Sequence, residues 1–232
     1  MDATLQRKPA AYNPSELLRA TGNSRYLVIG EFHTDQRVTQ LVQALIQGGK
    51  FSSIYVEQLK AGEHKRIVPV TTTTHGYPSK YETIANAALE KKMRAHGMLD
   101  TEELTHESYQ KRTGNWLEYI QSTTRRSGAG SRIMLLVGTG HVEYAGEAFQ
   151  DKDSKTDEID NIVDQLTRSG VARNLITTLV PFEIDADVRV LLRIGALPKI
   201  NLLRLNVEKE SARRAARDHM SDFVYTVQRG SY

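Results

Sequence analysis

The chain has 232 residues, of which 39% are hydrophobic and 25% charged, and this composition is typical of a folded domain rather than a disordered segment. It contains no cysteine, which excludes disulfide bonds, thiolate metal sites, iron–sulfur clusters and cysteine nucleophiles. The net charge of +3 is small, and no ladder of aromatic residues accompanies the basic ones, so we expect no nucleic-acid partner. No apolar run reaches the roughly 18–20 residues that a transmembrane helix needs.

Residues 1–24 are predicted to be a flexible leader and a short helix. Asn13-Pro14-Ser15-Glu16 has the pattern of a helix start, with Asn as N-cap, Pro in the first turn and Glu reaching back as in a capping box. The first eight residues lack the apolar stretch of a signal peptide. We therefore expect a cytosolic protein, one that leaves its cell by another route, or a domain cut from a longer chain, with a single α/β domain at 25–232.

A βαβ unit is predicted between Tyr26 and Glu57, because two short apolar runs flank a helical pattern. Apolar residues in the middle of the unit fall on a single helical stripe: Val38, Leu41, Val42, Leu45 and Ile46. Thr34 or Asp35 is predicted to cap this helix, and Gly48-Gly49 to end it. The crossover of such a unit is right-handed, so its strands are parallel and their carboxyl ends share one edge of the sheet.

The remainder of the chain is predicted to complete a central, mostly parallel sheet flanked by helices. Residues 60–126 are predicted to be a helical insertion. It begins with a polar, lid-like loop at 60–80 and continues with two or three helices broken near Gly97 and Gly114. Further elements are predicted downstream: a strand at 133–137, a helix at 156–169, a strand at 175–182, a basic helix at 208–219 and a strand at 223–227.

Three of the predicted strands each lead into an ionisable residue. Glu31 and His33 follow the first strand, Glu57 ends the second, and His141 follows Gly138-Thr139-Gly140 after the third. In open α/β sheets, ligands bind at the carboxyl ends of the strands. A buried charge is costly unless it is paired or used. We therefore predict that these residues form one catalytic site.

Two glutamates and two histidines leave three kinds of chemistry open. They can bind a divalent metal that activates water, in which case the same four residues are its ligands. They can act without a metal, with one Glu as general base on water and one His as acid for the leaving group. They can also ligate a cofactor such as haem. The pattern predicts an enzyme, with a cofactor-binding protein as the alternative.

The motifs Gly30-Glu31-Phe32-His33, Glu57 and Gly138-Thr139-Gly140-His141 resemble those of the superfamily that groups TIKI and TraB proteins, erythromycin esterases and haem-binding ChaN proteins. The resemblance covers roughly residues 25 to 145. The single residue between the Glu and the His is most similar to ChaN and to the Ras/Rap1-specific endopeptidase domain of MARTX toxins, a member of the same superfamily. Unlike in ChaN, no second histidine follows closely, because Asp35-Gln36-Arg37 stands in its place.

The resemblance implies a hydrolase, with an endopeptidase of the toxin-effector type that acts on a host small GTPase of the Ras/Rap class as the leading activity. It implies that Glu31 and Glu57 act as base and acid, and that His33 and His141 orient water or stabilise the oxyanion. Alternatives that the resemblance leaves open are a ChaN-like haem- or metal-binding protein without catalysis, an inactive relative that serves as an interaction module, and an esterase or metallohydrolase for another substrate.

Three further residues are candidates for substrate binding. The resemblance implies an arginine on the helix before the last site strand, a place that Arg112 fills, with Trp116 close by in the sequence. His75 is the histidine of the predicted lid. The remaining histidines lie in polar stretches and are predicted to be at the surface: His64, His96, His106 and His219.

Overall fold

The described part of the chain folds into one mixed sheet that carries helices on both faces. The computed structural model describes residues 11–33, 36–70, 79–99, 106–125, 130–142, 162–184, 202–204 and 223–228. These ranges contain five helices: α1 (Pro14–Ala20), α2 (Arg37–Gly48), α3 (Lys80–Glu90), α4 (His106–Thr124) and α5 (Ile162–Arg168). The same ranges contain nine strands: β1 (Ala11–Tyr12), β2 (Tyr26–Glu31), β3 (Ser53–Lys60), β4 (Gly62–His64), β5 (Arg94–Leu99), β6 (Ile133–Gly138), β7 (Ile176–Ile184), β8 (Leu202–Arg204) and β9 (Phe223–Gln228).

These nine strands form a single sheet in the order β1-β8-β9-β7-β2-β6-β3-β5-β4. Neighbouring strands from β9 to β5 in this order are all parallel. The antiparallel pairs lie at the two sides of the sheet. This arrangement confirms the predicted α/β class with a mostly parallel sheet. Because β2, β6 and β3 are adjacent, the strands that were predicted to carry the site lie side by side.

Two hydrophobic clusters cover the two faces of the sheet. Successive side chains of a strand point to opposite faces, so Leu27 and Ile29 belong to one cluster and Val28 to the other. The first cluster contains the apolar stripe of α2 together with residues of α1 and α3, and the second contains residues of α4 and α5. Since both faces are covered, β2 and β6 are buried along their length, and their residues are apolar up to Gly30 and Gly138 rather than alternating.

The predicted ends of the first two helices are mostly confirmed. The Asn13 side chain accepts from the Glu16 amide at 2.9 Å, and the Glu16 carboxylate accepts from the Asn13 amide at 2.8 Å, which completes the capping box of α1. Helix α2 ends at the predicted Gly48-Gly49 pair. Its start differs, because the N-cap residue is Gln36, whose side chain makes no capping bond. The predicted caps, Thr34-Asp35, lie outside the described residues.

Residues 60–126 are not the purely helical insertion that was predicted. Helices α3 and α4 are present, but β5 lies between them and pairs in parallel with β3. Gly97, predicted as a helix break, lies inside β5, where a β-carbon would clash with the carbonyl oxygen of Lys60. Gly114 lies inside α4 without ending it. The sequence 94–99 neither alternates nor forms an apolar run, so periodicity could not identify this strand.

Other predicted boundaries shift or fall outside the described residues. Ala11–Tyr12, predicted as part of the leader, form β1 and pair with β8. The strands predicted at 175–182 and 223–227 are confirmed as β7 and β9. The helix predicted at 156–169 is described from Ile162 onward as α5, and the helix predicted at 208–219 lies outside the described residues. Among the helices that the structure describes, none is long and apolar enough to cross a membrane.

His96 is buried in the core, which corrects the prediction of a surface residue. It is 0% exposed in β5, its ring stacks on Tyr55 at a centroid distance of 4.5 Å, and its Nδ1 lies 3.0 Å from the hydroxyl of Tyr119. Burial lowers the pKa of His96 to about 4, so the imidazole is neutral near pH 7. Aromatic neighbours and one hydroxyl partner thus accompany a histidine in β5, the second strand from one side of the nine-stranded sheet.

Candidate active site

The structure brings the four predicted site residues to one edge of the sheet. Glu31 is the last residue of β2 and pairs in register with Gly138, the last residue of β6. His33 lies two residues beyond Glu31, and His141 ends the turn of 3-10 helix that follows β6. Glu57 lies inside β3, which continues beyond its predicted end, at a point where the register of β3 against β5 shifts.

The first pair joins Glu31 to His33. The Nδ1 atom of His33 lies 3.0 Å from Oε1 of Glu31, and the Tyr81 hydroxyl donates to the same oxygen at 2.9 Å. The Glu31 side chain is 1% exposed, whereas that of His33 is 48% exposed. The hydrogen bond with Glu31 is the largest influence on the imidazole, and it raises the pKa of His33 although partial burial opposes it. His33 is therefore the member of this pair that solvent can reach.

Lys80 brings a positive charge to the same carboxylate. Its ammonium forms an ion pair with Oε2 of Glu31 and donates to the carbonyl oxygen of Phe32 at 2.9 Å. The Lys80 side chain is 2% exposed, so both charges of the ion pair are buried. Lys80 and Tyr81 are the first two residues of α3, so a helix, and not only the strand ends, contributes to the site.

The second pair joins Glu57 to His141, and both side chains are buried. The Nε2 atom of His141 lies 3.5 Å from Oε1 of Glu57, and the Gly138 amide donates to Oε2 at 2.6 Å. Burial acts to raise the pKa of Glu57, but contacts with His141 and the Gly138 amide outweigh it and hold the pKa below its usual value. On the other side of His141, the Thr113 hydroxyl lies 3.4 Å from Nδ1, and the ring of Trp116 lies at a centroid distance of 4.7 Å.

Gln58 connects the two pairs. Its Nε2 atom lies 3.4 Å from Nε2 of His33 and donates to Oε1 of Glu57 at 3.3 Å. An amide nitrogen can only donate, so Nε2 of His33 is the accepting nitrogen and Nδ1 carries the proton. Nδ1–H then donates to the carboxylate of Glu31. This assignment of the tautomer satisfies the hydrogen-bonding partners of both ring nitrogens.

The donor atoms do not fit a divalent metal bound by all four residues. Both oxygens of Glu31 already have partners, because Oε1 contacts His33 and Tyr81 and Oε2 pairs with Lys80. One oxygen of Glu57 accepts a backbone N–H. Within the described ranges, no group of three or more His, Asp or Glu side chains converges on a point where a metal could sit.

The predicted substrate-binding residues lie in different surroundings. Arg112 is 7% exposed on α4, next to Thr113 in the sequence. Trp116 is buried, and its indole N–H donates to the carbonyl oxygen of Met98 at 3.1 Å, so its polar atom is already satisfied. His75 lies outside the described residues.

Sequence reasoning missed four residues of the site: Gln58, Lys80, Tyr81 and Thr113. Gln58 follows a predicted site residue directly, so position alone could have identified it. The other three come from α3 and α4, and the sequence gives no measure of their distance from the strand ends. Their residue types are common in ordinary helices, so no motif distinguishes them.

Comparisons with known proteins show similarity of fold. No protein-family model matches the chain, and no curated protein sequence matches it. The solved structure of the type III effector HopBA1 is similar over 98% of this chain and 99% of that chain, with a TM-score of 0.51 and 12% sequence identity. A structure described as bacterial protein toxins matches 76% of this chain and 38% of its own, with a TM-score of 0.49 and 14% identity.

RRSP, a MARTX toxin effector domain from Vibrio vulnificus CMCP6, matches 77% of this chain and 37% of its own, with a TM-score of 0.43 and 16% identity. At these identities the comparisons concern the fold alone.

Proposed function

We propose that the chain is an effector-type hydrolase that cleaves a peptide bond of a host protein, with small GTPases of the Ras/Rap class as its substrates. One observation carries the catalytic part of this proposal. The Nδ1 atom of His33 is held by a buried carboxylate, while the side chain remains 48% exposed at the edge of the sheet. A histidine oriented in this way by a carboxylate is the general base of many hydrolases.

Water is the nucleophile in this proposal, and His33 is its base. Nε2 of His33 accepts a proton from water as the water oxygen attacks the carbonyl carbon. Glu31 stabilises the imidazolium that forms, because the Nδ1–H bond becomes charge-assisted. The imidazolium then gives its proton to the amide nitrogen as the C–N bond breaks, which leaves a carboxylic acid and an amine; the acid then releases its proton, and the products are a carboxylate and an ammonium group. Because Glu31 is only 1% exposed, it orients the base and does not act as the base itself.

The second pair, Glu57 and His141, helps to place a donor that stabilises the carbonyl oxygen of the substrate. Glu57 is anchored by the Gly138 amide and His141, and it accepts from the Gln58 amide, which lies beside Nε2 of His33. The N–H that Gln58 directs at Nε2 of His33 can turn to the substrate once water occupies Nε2, and there it can stabilise negative charge on the carbonyl oxygen. Trp116 packs against His141 and keeps water from it.

The substrate class rests on the sequence motifs and on the fold. The Gly-Glu-x-His motif and the later Gly-x-Gly-His motif resemble those of the Ras/Rap1-specific toxin endopeptidases. The fold is similar to that of a protein described as a type III effector. Arg112, mostly buried beside the residue that contacts His141, is the proposed anchor for a substrate carbonyl or carboxylate. Delivery into a host cytosol is part of the same proposal.

Intact-mass spectrometry of purified small GTPases incubated with the protein tests this function. We expect two fragments whose masses sum to that of the GTPase plus one water, with the same yield in EDTA. Glu31→Gln keeps the size of the side chain and should lose this cleavage. A panel that wild-type protein leaves uncut would overturn the substrate class, and equal cleavage by Glu31→Gln would overturn the site.

Haem binding is the second candidate function, and the same histidine favours it. A metal-ligating histidine usually donates its other N–H to a carboxylate, as His33 does to Glu31. Nε2 of His33 would then hold the haem iron. Titration with haem decides between the two functions, because a Soret band that His33→Gln abolishes is expected only of a haem-binding protein.

A further inference from the structure

Lys80 and Tyr81 contact the two oxygens of the same site carboxylate. The Lys80 ammonium pairs with Oε2 of Glu31, and the Tyr81 hydroxyl donates to Oε1 at 2.9 Å. The Tyr81 hydroxyl also lies 3.1 Å from Nδ1 of His33. The carboxylate is therefore held from both sides by consecutive residues of α3, which is neither a strand nor part of any motif that predicts the site.

Stability does not account well for this arrangement. Transfer of a lysine ammonium out of water is costly, and a buried ion pair seldom returns more than its desolvation costs. Replacement of such pairs by packed apolar side chains is often neutral or stabilising. The Lys80–Glu31 pair is nevertheless almost fully buried. The desolvation cost of this ion pair is therefore better explained by a role in orienting Glu31 than by a purely structural role.

The contacts of Lys80 restrict the carboxylate in a specific way. The ammonium bonds the carbonyl oxygen of Phe32 at 2.9 Å, so it is tied to the backbone between Glu31 and His33. With Oε2 held there, Oε1 is the oxygen that faces Nδ1 of His33. Rotation of the carboxylate would move this acceptor away from the imidazole, and either ring nitrogen could then carry the proton.

We infer that Lys80 and Tyr81 are positioning residues that hold Glu31 in the orientation that keeps the proton of His33 on Nδ1. Helix α3 therefore helps to prepare the base, because Nε2 of His33 stays unprotonated and can accept a proton from water once water replaces the Gln58 amide there. The catalytic consequence rests on the proposed hydrolase function, whereas the effect on the tautomer does not.

The test is nitrogen-15 NMR of histidine-labelled full-length protein, in which the two ring nitrogens of His33 report the tautomer. The variants are Lys80→Met, which keeps the length of the side chain, and Tyr81→Phe, which removes one hydroxyl. Matched controls are Lys50→Met, an exposed lysine before β3, and Tyr119→Phe, whose hydroxyl contacts His96 instead. If Lys80→Met does not fold, Tyr81→Phe decides the question.

At a pH above the pKa of His33, where the imidazole is neutral, we expect the Nδ1–H tautomer in the wild type and in both controls, and a mixture of the two tautomers in Lys80→Met and Tyr81→Phe. A pure Nδ1–H tautomer in the folded variants would overturn the inference, because a merely structural role predicts changed stability and an unchanged His33. Once a substrate is identified, the kcat of Lys80→Met and of Tyr81→Phe should be about 10- to 100-fold below that of the wild type at similar KM. The NMR experiment needs no substrate, so wild-type protein that cleaves nothing overturns the proposed function and leaves this inference to its own test.

Discussion

Gly138 approaches His33 so closely that a β-carbon at position 138 would lie 3.2 Å from Nε2 of the imidazole. The same β-carbon would lie 3.4 Å from Oε2 of Glu57, the oxygen to which the Gly138 amide donates. The φ of Gly138 is −56°, which any residue can adopt, so the glycine is required for space rather than for backbone conformation. It lies where the two glutamate–histidine pairs meet.

Gly138→Ala should therefore displace His33 or Glu57 by a few tenths of an ångström and lower kcat by about 10- to 100-fold, because small misplacements of catalytic groups are costly. Gly114→Ala is the matched control, since a β-carbon there meets no atom within 4 Å. The control should keep full activity and gain about 0.5–1 kcal/mol of unfolding free energy, because it removes a glycine from a helix interior. Full activity of Gly138→Ala, measured by the rate of substrate cleavage, would contradict the geometry.

Gln58→Leu tests the proposed donor to the carbonyl oxygen. Loss of one such donor typically lowers kcat by about 10²- to 10³-fold, and Leu is close to Gln in size. Gln47→Leu, an exposed glutamine of α2, is the control and should behave as the wild type. A drop in affinity at unchanged kcat would assign Gln58 to binding of the substrate instead.

The pH profile of kcat/KM should report the pKa of His33. The base must be neutral, and the bond with Glu31 raises the pKa above the ordinary value of 6.5. Activity is therefore lost as the pH falls through a value above 6.5. In Glu31→Gln the charge and the carboxylate bond are gone, so any residual activity should show its acidic limb at lower pH. An acidic limb that stays in place in this variant would exclude His33 as the titrating base.

His96 predicts a loss of stability in acid that is separate from catalysis. Burial lowers its folded pKa to about 4 from the ordinary value of 6.5, so the folded state binds fewer protons than the unfolded state. The stability contributed by neutral His96 is complete above pH 6.5 and is lost as the pH falls toward 4. The loss amounts to at most about 3 kcal/mol.

Urea denaturation of wild type and His96→Phe at pH 7 and near pH 4.5 measures this loss. The wild type should lose more unfolding free energy between the two pH values than His96→Phe does, because the variant has no imidazole to protonate. Equal losses would show that His96 keeps an ordinary pKa in the core.

The sequence predicted those parts of the fold in which burial and periodicity agree. β2, β6 and the helix α2 have continuous or regularly spaced apolar residues, and the polar groups at their ends stand out against them. Glu31, Glu57 and His141 could be placed together because parallel strands align their carboxyl ends.

The missed features depend on contacts between distant segments. β5 carries Arg94, His96 and Gly97, and it is a strand because β3 and the aromatic rings beside it supply its partners. Lys80 is the last residue of the polar loop predicted at 60–80, and only the tertiary fold pairs it with Glu31.

Mass-spectrometric identification of new protein N-termini in a eukaryotic cell lysate tests the central claim most directly, because it assumes no particular substrate. We expect the wild type to create a defined N-terminus, foremost in a small GTPase, and Glu31→Ala, Glu57→Ala and His141→Ala each to abolish it while they remain folded. The absence of any N-terminus specific to the wild type, or comparable cleavage by two of these variants, would contradict the assignment of the site as a peptidase centre.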